Sequence, residues 1–202
     1  MENKQKINYQ KQLDRIISKL TDRPRLALHS CCGPCSSYCL EYLTQYFDVT
    51  VFFYNPNILP REEYEKRLYW QRRLLEEAPF ARGVALIAPE WDDREFFRAA
   101  QGLESEREGG ARCTRCFRLR LERTAREAEA GGYDYFATTL TVSPHKDAER
   151  INALGFALAE GLRTRWLPSD FKKRNGYLRS IELSREFGLY RQSWCGCGLG
   201  EA

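Results

Sequence analysis

The chain has no run of about 18 apolar residues, which excludes a membrane-spanning helix of the usual kind. Met1 to Lys19 is polar and charged and has no apolar stretch of the sort that opens a secretory signal, so a cytoplasmic protein is expected. Internal repeats and low-complexity tracts are also missing, which removes repeat architectures and compositional tails. Nor is the composition that of a disordered or collagen-like chain, since 43% of residues are hydrophobic and 13% aromatic. Imidazole is scarce, with two histidines, His29 and His145.

What is abundant is sulfur. Eight cysteines occur in 202 residues, and all fall in three groups. These are Cys31, Cys32, Cys35 and Cys39, then Cys113 and Cys116, then Cys195 and Cys197. In a reducing compartment clustered thiols bind metal or do redox chemistry more often than they form structural disulfides. The length fits one domain, or one domain with a small lobe.

The hydrophobic pattern alternates strands with helices. Arg25 to Ser30 reads as a buried strand that runs straight into the first cysteines. A helix is expected from Ser36 to Tyr46, a strand over Asp48 to Tyr54, a charged helix from Pro60 to Glu77 and a short strand over Val84 to Ala88. Further on come helices at Asp92 to Ala100 and Cys113 to Ala130, and a strand at Tyr135 to Leu140. A helix over Lys146 to Gly161, a last strand at Arg165 to Leu167 and a helix from Ile181 to Phe187 complete the pattern. This is an α/β fold with a mostly parallel sheet, in which ligands sit beyond the carboxyl ends of the strands. The cysteines at 31 and 32 lie there, and so do Thr138 to His145. Residues 1–22 read as a polar N-terminal extension, 23–197 as a single domain with a small helical C-terminal part, and 198–202 as a tail.

The pairs Cys31/Cys32 and Cys113/Cys116 would together offer four thiolates, a donor set that suits zinc or a [4Fe–4S] cluster. A redox dithiol and buried core cysteines are the alternatives. Cys113 is expected at a helix start. Six arginines against one glutamate between 112 and 126 should lower the thiol pKa values further. Cys35 can turn toward the same site as a ligand or reactive thiol. Cys39, a helical turn further, reads as a small buried hydrophobe. Cys195 and Cys197 can form a strained local disulfide, a dithiol or half of a zinc site. His29, at a buried strand end, reads as a core histidine.

Charge points to an anionic partner. Residues 161–202 carry eight basic and four acidic side chains, and residues 112–126 a net of +5. A solvated helix face is the bland reading of such runs. Aromatics interleave with the second run (Trp166, Phe171, Tyr177, Tyr190 and Trp194). Phosphate contacts and stacking on an unpaired base would use this combination.

Five ordered motifs resemble one family. Leu28-His29-Ser30-Cys31-Cys32-Gly33-Pro34-Cys35-Ser36 resembles the opening motif of the cobalamin-independent epoxyqueuosine reductases, the QueH type. Cys113-Thr114-Arg115-Cys116-Phe117-Arg118-Leu119-Arg120 is similar to the second, and Thr138 through Lys146 to the third. Asp170 to Tyr177 and Ser184 to Cys197 match the fourth and fifth. The resemblance implies a Rossmann-like fold of the nucleotide-hydrolase and PP-loop kind. It implies reduction of epoxyqueuosine to queuosine at the wobble position of tRNA, the last step of queuosine biosynthesis. It also implies a [4Fe–4S] cluster on Cys31, Cys32, Cys113 and Cys116, a second iron near Cys35, and no cobalamin. His145, just past a strand end, reads equally as a proton donor for this reaction or as a loop or helix-end hydrogen-bonder, and Cys195/Cys197 as a redox pair. Arg115, Arg118, Lys172, Lys173, Arg174 and Arg191 would contact the anticodon loop, and an unidentified electron donor is required. Two other functions compete with this one. An ATP-using PP-loop-type enzyme would need a glycine- and serine-rich phosphate loop where Cys31-Cys32-Gly33-Pro34-Cys35 stands. A zinc-stabilised RNA-binding module would be colourless.

Overall fold

The computed structural model describes residues 7–199; the first six residues of the expected extension and residues 200–202 of the expected tail lie outside it. Five parallel strands form the sheet: β1 (Arg25–His29), β2 (Asp48–Phe52), β3 (Ala85–Ile87), β4 (Tyr135–Thr138) and β5 (Arg165–Trp166), in the order β3-β2-β1-β4-β5. The flanking helices are α1 (Tyr9–Ile17), α2 (Gly33–Leu43), α3 (Arg61–Glu77), α4 (Asp93–Ala100), α5 (Ala111–Ala130), α6 (Ala148–Ala159) and α7 (Gly176–Glu186). The α/β fold read from the sequence is the observed one.

Strand order sets the site. From β1 the chain steps outward through β2 to β3, then crosses back to lay β4 on the other side of β1. The direction of winding reverses between β1 and β4, and in open parallel sheets the crevice beyond the carboxyl ends at that point is where ligands bind. His29 pairs in register with Thr138 across this junction.

The central strand is buried on both faces, and its alternation divides the core. Leu26 and Leu28 pack with Leu13, Leu40 and Val51 on one side. Ala27 packs with Phe117, Leu121, Phe136, Ile151 and Trp166 on the other. Each fully buried leucine or phenylalanine contributes roughly 1.5–3 kcal/mol of transfer free energy. The helix α1 falls within the stretch read as a polar extension, and its Leu13 is fully buried in the first of these cores.

Several boundaries differ from the sequence expectation for local reasons. Proline at the start of α2 is pre-set for a first helical turn, so the helix begins at Gly33, three residues before Ser36. A Cβ on Gly33 would lie 2.9 Å from the Trp70 carbonyl oxygen, so α3 approaches this turn closely enough to require glycine. The strand β4 stops at Thr138 because that side chain accepts from the Leu140 N–H and starts a 3-10 turn over Thr139–Val142. The helix α7 begins at Gly176, five residues before Ile181, and packs along α2. The stretch from Gly188 to Leu199 is not helical; it crosses the top of the sheet as an irregular strap.

A candidate metal centre at the carboxyl end of the sheet

Three thiols converge where β1 ends. The Sγ atoms of Cys31, Cys32 and Cys35 all lie within 4.8 Å of one another, and Cys31 and Cys32 are 3.8 Å apart. This is the single group of three potential metal donors among the described residues. The loop that carries it is fastened from beneath. Ser30 Oγ donates to Gln71 Oε1 at 2.8 Å and Ser36 Oγ to the same atom at 2.7 Å. Asn55 Nδ2 donates to the Ser30 carbonyl at 2.8 Å. Soft, buried, converging sulfurs fit zinc, iron or an iron–sulfur group rather than a hard oxygen-seeking cation.

The second pair, on α5, lies outside this close group of three. Cys113 and Cys116 are both buried. Cys113 packs in the core that Cys31 borders, and its sulfur accepts from the Gly109 N–H at 3.2 Å. Cys116 packs with Phe96 beside Cys197. Arg120, 2% exposed, bonds through Nε to the Cys116 carbonyl, and its charge is close enough to be felt by the thiols of Cys116, Cys195, Cys31 and Cys113. Above the sulfurs opens a cleft of about 340 Å³, lined by Cys31 and Cys35 and walled by His145, Lys146, Tyr177, Arg191 and Trp194.

The strap closes one side of this cleft, held by two buried arginines. Arg67, 2% exposed, donates Nη1 to the Cys195 carbonyl at 3.0 Å and Nη2 to the Trp194 carbonyl at 3.4 Å, and pairs through Nε with Glu63 at 2.6 Å. Arg112, 1% exposed, reaches the Leu199 carbonyl at 2.6 Å and the Glu104 carbonyl at 2.7 Å. The Leu59 N–H adds a bond to the Gly196 carbonyl at 2.8 Å. Gln192 Nε2 reaches Cys32 Sγ at 3.1 Å.

Electrostatics divides the thiols. Within the trio, hydrogen bonds from Cys32 and Cys35 and then the Arg120 charge hold Cys31 well below the ordinary thiol value. Cys32 is pushed up to about 12 and Cys35 upward too, because the trio stabilises one negative charge at a time. Cys195 is lowered to about 5, first by the Cys197 thiol and then by Lys146 and Arg120. The ammonium of Lys146 lies 3.4 Å from Cys195 Sγ and 2.8 Å from the Glu108 carboxylate. The lowering expected from the arginines is reversed at Cys116, which burial pushes up to about 11, outweighing Arg120. Arginine counting misleads there because the charges face elsewhere. Arg123 pairs with Glu127 at 2.9 Å, Arg126 pairs with Glu122, and Arg112 serves loop carbonyls.

The remaining expected residues are distributed as follows. His145 is exposed on the cleft wall. His29 is fully buried, bonded to Thr138 Oγ1 at 2.8 Å and the Tyr54 carbonyl at 3.2 Å. Burial, and then Arg120, lower its pKa to about 3, so it is a neutral core histidine. Cys39 is fully buried in the leucine core. All eight cysteines are free thiols, so the structure holds no Cys195–Cys197 disulfide. Arg115 and Arg118 are exposed on α5. Lys172 is tied to Asp170 at 2.8 Å and Arg174 to Asp14 at 2.7 Å, while Lys173 makes no ion pair among the described residues. Arg191 donates to Ser184 Oγ at 3.1 Å and lies 5.8 Å from the Tyr177 ring centre. Arg67, Lys146 and Gln192 do not stand out as site residues in the sequence. Arg67 sits in a charged helix pattern indistinguishable from a solvated face, and Gln192 carries no motif chemistry of its own.

The thiol-bearing turn after β1 also differs from a phosphate cradle, since sulfurs and a proline occupy the helix start where backbone N–H groups would face phosphate. The family model described as epoxyqueuosine reductase QueH matches residues 26–202. A protein of Streptococcus pyogenes named epoxyqueuosine reductase QueH is 45% identical over 202 residues, covering 98% of this chain and 79% of its own length. One of Staphylococcus epidermidis with the same name is 46% identical over 200 residues, with 96% and 84% covered. One of Thermotoga maritima is 35% identical over 176 residues, with 84% and 86% covered. Among the described residues no helix is long and apolar enough to cross a membrane. With the match spanning every strand and all three cysteine groups, the chain belongs to the epoxyqueuosine reductase QueH family.

Proposed function

We propose that the cysteine-lined cleft is where this epoxyqueuosine reductase works, removing the epoxide oxygen of epoxyqueuosine at the wobble position of a cytoplasmic tRNA. The carrying observation is the convergence of three sulfurs at the switch point of the sheet, directly beneath an open cleft. Cys31, Cys32, Cys113 and Cys116 hold a [4Fe–4S] group in this reading, and Cys35 serves a neighbouring iron. Such a group passes single electrons, and an iron with an open position acts as a Lewis acid toward oxygen.

The chain's own residues do the rest. Gln192 holds the Cys32 sulfur in place by its N–H. His145, exposed on the cleft wall, holds a proton for the departing oxygen. Tyr177 and Trp194 offer aromatic faces at the cleft to a base turned out of the anticodon loop. Arg115, Arg118, Lys173 and Arg191 are exposed to meet phosphates, and Lys172 and Arg174 can join them by exchanging their carboxylate partners. Cys195 and Cys197 act as a dithiol that can close to a disulfide. No cobalamin is required, and an external donor supplies the electrons.

Anaerobic purification with iron and sulfide quantitation tests this. The expected result is a brown protein containing both elements, bleached by dithionite, that converts epoxyqueuosine in tRNA. A colourless protein containing zinc alone would overturn it.

A further inference from the structure

The cations on the cleft wall are nearly all committed. Arg67 uses its three nitrogens on Glu63 and two strap carbonyls. Lys146 is bound to Glu108, and Arg191, which is exposed to water, spends one nitrogen on Ser180 and Ser184. Arg120 is the exception. It lines the cleft, is 2% exposed and has no carboxylate partner among the described residues. Its Nε donates to the Cys116 carbonyl at 3.3 Å, while its Nη2 is buried with no hydrogen-bond partner. A buried guanidinium with an unsatisfied donor is strongly disfavoured unless an anion or a polar atom completes it. An arginine held in that state, facing a cleft, is preorganised for a group that arrives later.

We propose that Arg120 is a catalytic residue of this reductase: its guanidinium, at the cleft wall, donates to the epoxide oxygen of the substrate and stabilises the negative charge that oxygen takes on as its first C–O bond breaks. Overall, both C–O bonds of the epoxide break, a carbon–carbon double bond forms and the oxygen leaves as water. Two electrons come from the external donor, delivered one at a time, and two protons come from solvent, one of them by way of His145. Arginine does not supply a proton, because its guanidinium stays charged throughout. Its contribution is a fixed positive charge in a site shielded from water, where loss of one such donor typically lowers kcat by about 100-fold to 1,000-fold. The role rests on the reading of the cleft as the place of epoxide reduction.

The rival role is charge balance for the surrounding sulfurs, and the test separates the two. Arg120→Gln and Arg120→Lys are prepared anaerobically beside the wild type. Iron and sulfide content, midpoint potential, kcat and KM are measured, together with the resting enzyme's affinity for tRNA carrying epoxyqueuosine and for tRNA carrying queuosine. Arg120→Gln should keep its iron and sulfide, keep KM within about twofold and lose about 100-fold or more in kcat. Wild type should bind the epoxide form more tightly than the product form, and Arg120→Gln should bind the two alike. Arg120→Lys, which keeps the charge, should recover part of kcat and guards against failure of the glutamine variant to fold. An Arg120→Gln enzyme that turns over like wild type overturns the role. So does one that loses iron or shifts its potential while retaining the preference for the epoxide form. A wild-type protein that binds no iron and reduces no epoxide defeats the reading of the cleft itself, before any variant is compared.

Discussion

Gln192 donates to the Cys32 thiol at 3.1 Å, joining two residues 160 positions apart in the chain. The hydrogen bond ties the strap to the sulfur trio. It also makes Cys32 a sharper probe of the centre than its neighbours, because its sulfur faces both the trio and the strap. Cys32→Ala should bring iron content close to zero and abolish the visible absorption. Cys39→Ala removes a sulfur from the leucine core instead. It should keep its iron and lose about 1 kcal/mol of stability to the small void. Equal loss of iron in both variants would return Cys39 to the ligand set.

The clasp on the strap has its own signature. Arg67→Met leaves the strap carbonyls of Trp194 and Cys195, and the partly buried Glu63, without their cation. Removing one partner of a buried pair costs about 3–5 kcal/mol. Denaturant melts should show that loss, and limited proteolysis should cut between residues 190 and 199 faster than in wild type. Unchanged cleavage there would mean that the Leu59 and Arg112 bonds hold the strap unaided.

Affinity for tRNA should depend on which basic residues are free of carboxylates. Arg118→Ala combined with Lys173→Ala should weaken binding, and the salt slope should fall by about 0.7 for each phosphate no longer neutralised. Arg126→Ala, a charge already paired with Glu122, should leave the slope as it was. The reverse pattern would move the RNA-facing surface away from Arg118 and Lys173.

Acid stability should carry the mark of Glu129. Its carboxylate accepts from the backbone N–H groups of Thr164 at 2.9 Å and Arg163 at 3.0 Å, and from Arg163 Nε at 2.9 Å. The Thr164 bond and then the Arg163 side chain hold its pKa below the ordinary 4.5. A depressed carboxyl stabilises the fold above its unfolded value and loses that contribution as pH falls through the folded one. Glu129→Gln should therefore melt lower than wild type at pH 7, and the gap should narrow below pH 4.5. A gap that stays constant with pH would assign the effect to packing.

What was legible in the sequence was what is local. The run from Leu26 to Cys35 shows a buried strand meeting a thiol-rich helix start, and periodicity places it at a carboxyl end. His29 was readable as a core residue from its apolar neighbours alone. The field of α5 was not readable in this way. A count of arginines cannot tell that Arg112 and Arg120 point inward while Arg123 and Arg126 meet glutamates on their own helix. Arg67 was hidden for a different reason: the carbonyl it serves at Cys195 lies 128 residues downstream, and no local pattern records so distant a partner.

That distance also orders events in time. A ribosome delivers the thiols at 31 to 35 and 113 to 116 well before the stretch from 191 to 199 leaves its tunnel. The nascent sheet can gather its sulfurs while the strap is still missing, so the top of the cleft is open before it is covered. The strap, made later than the thiols it covers, is then the segment that decides what stays inside.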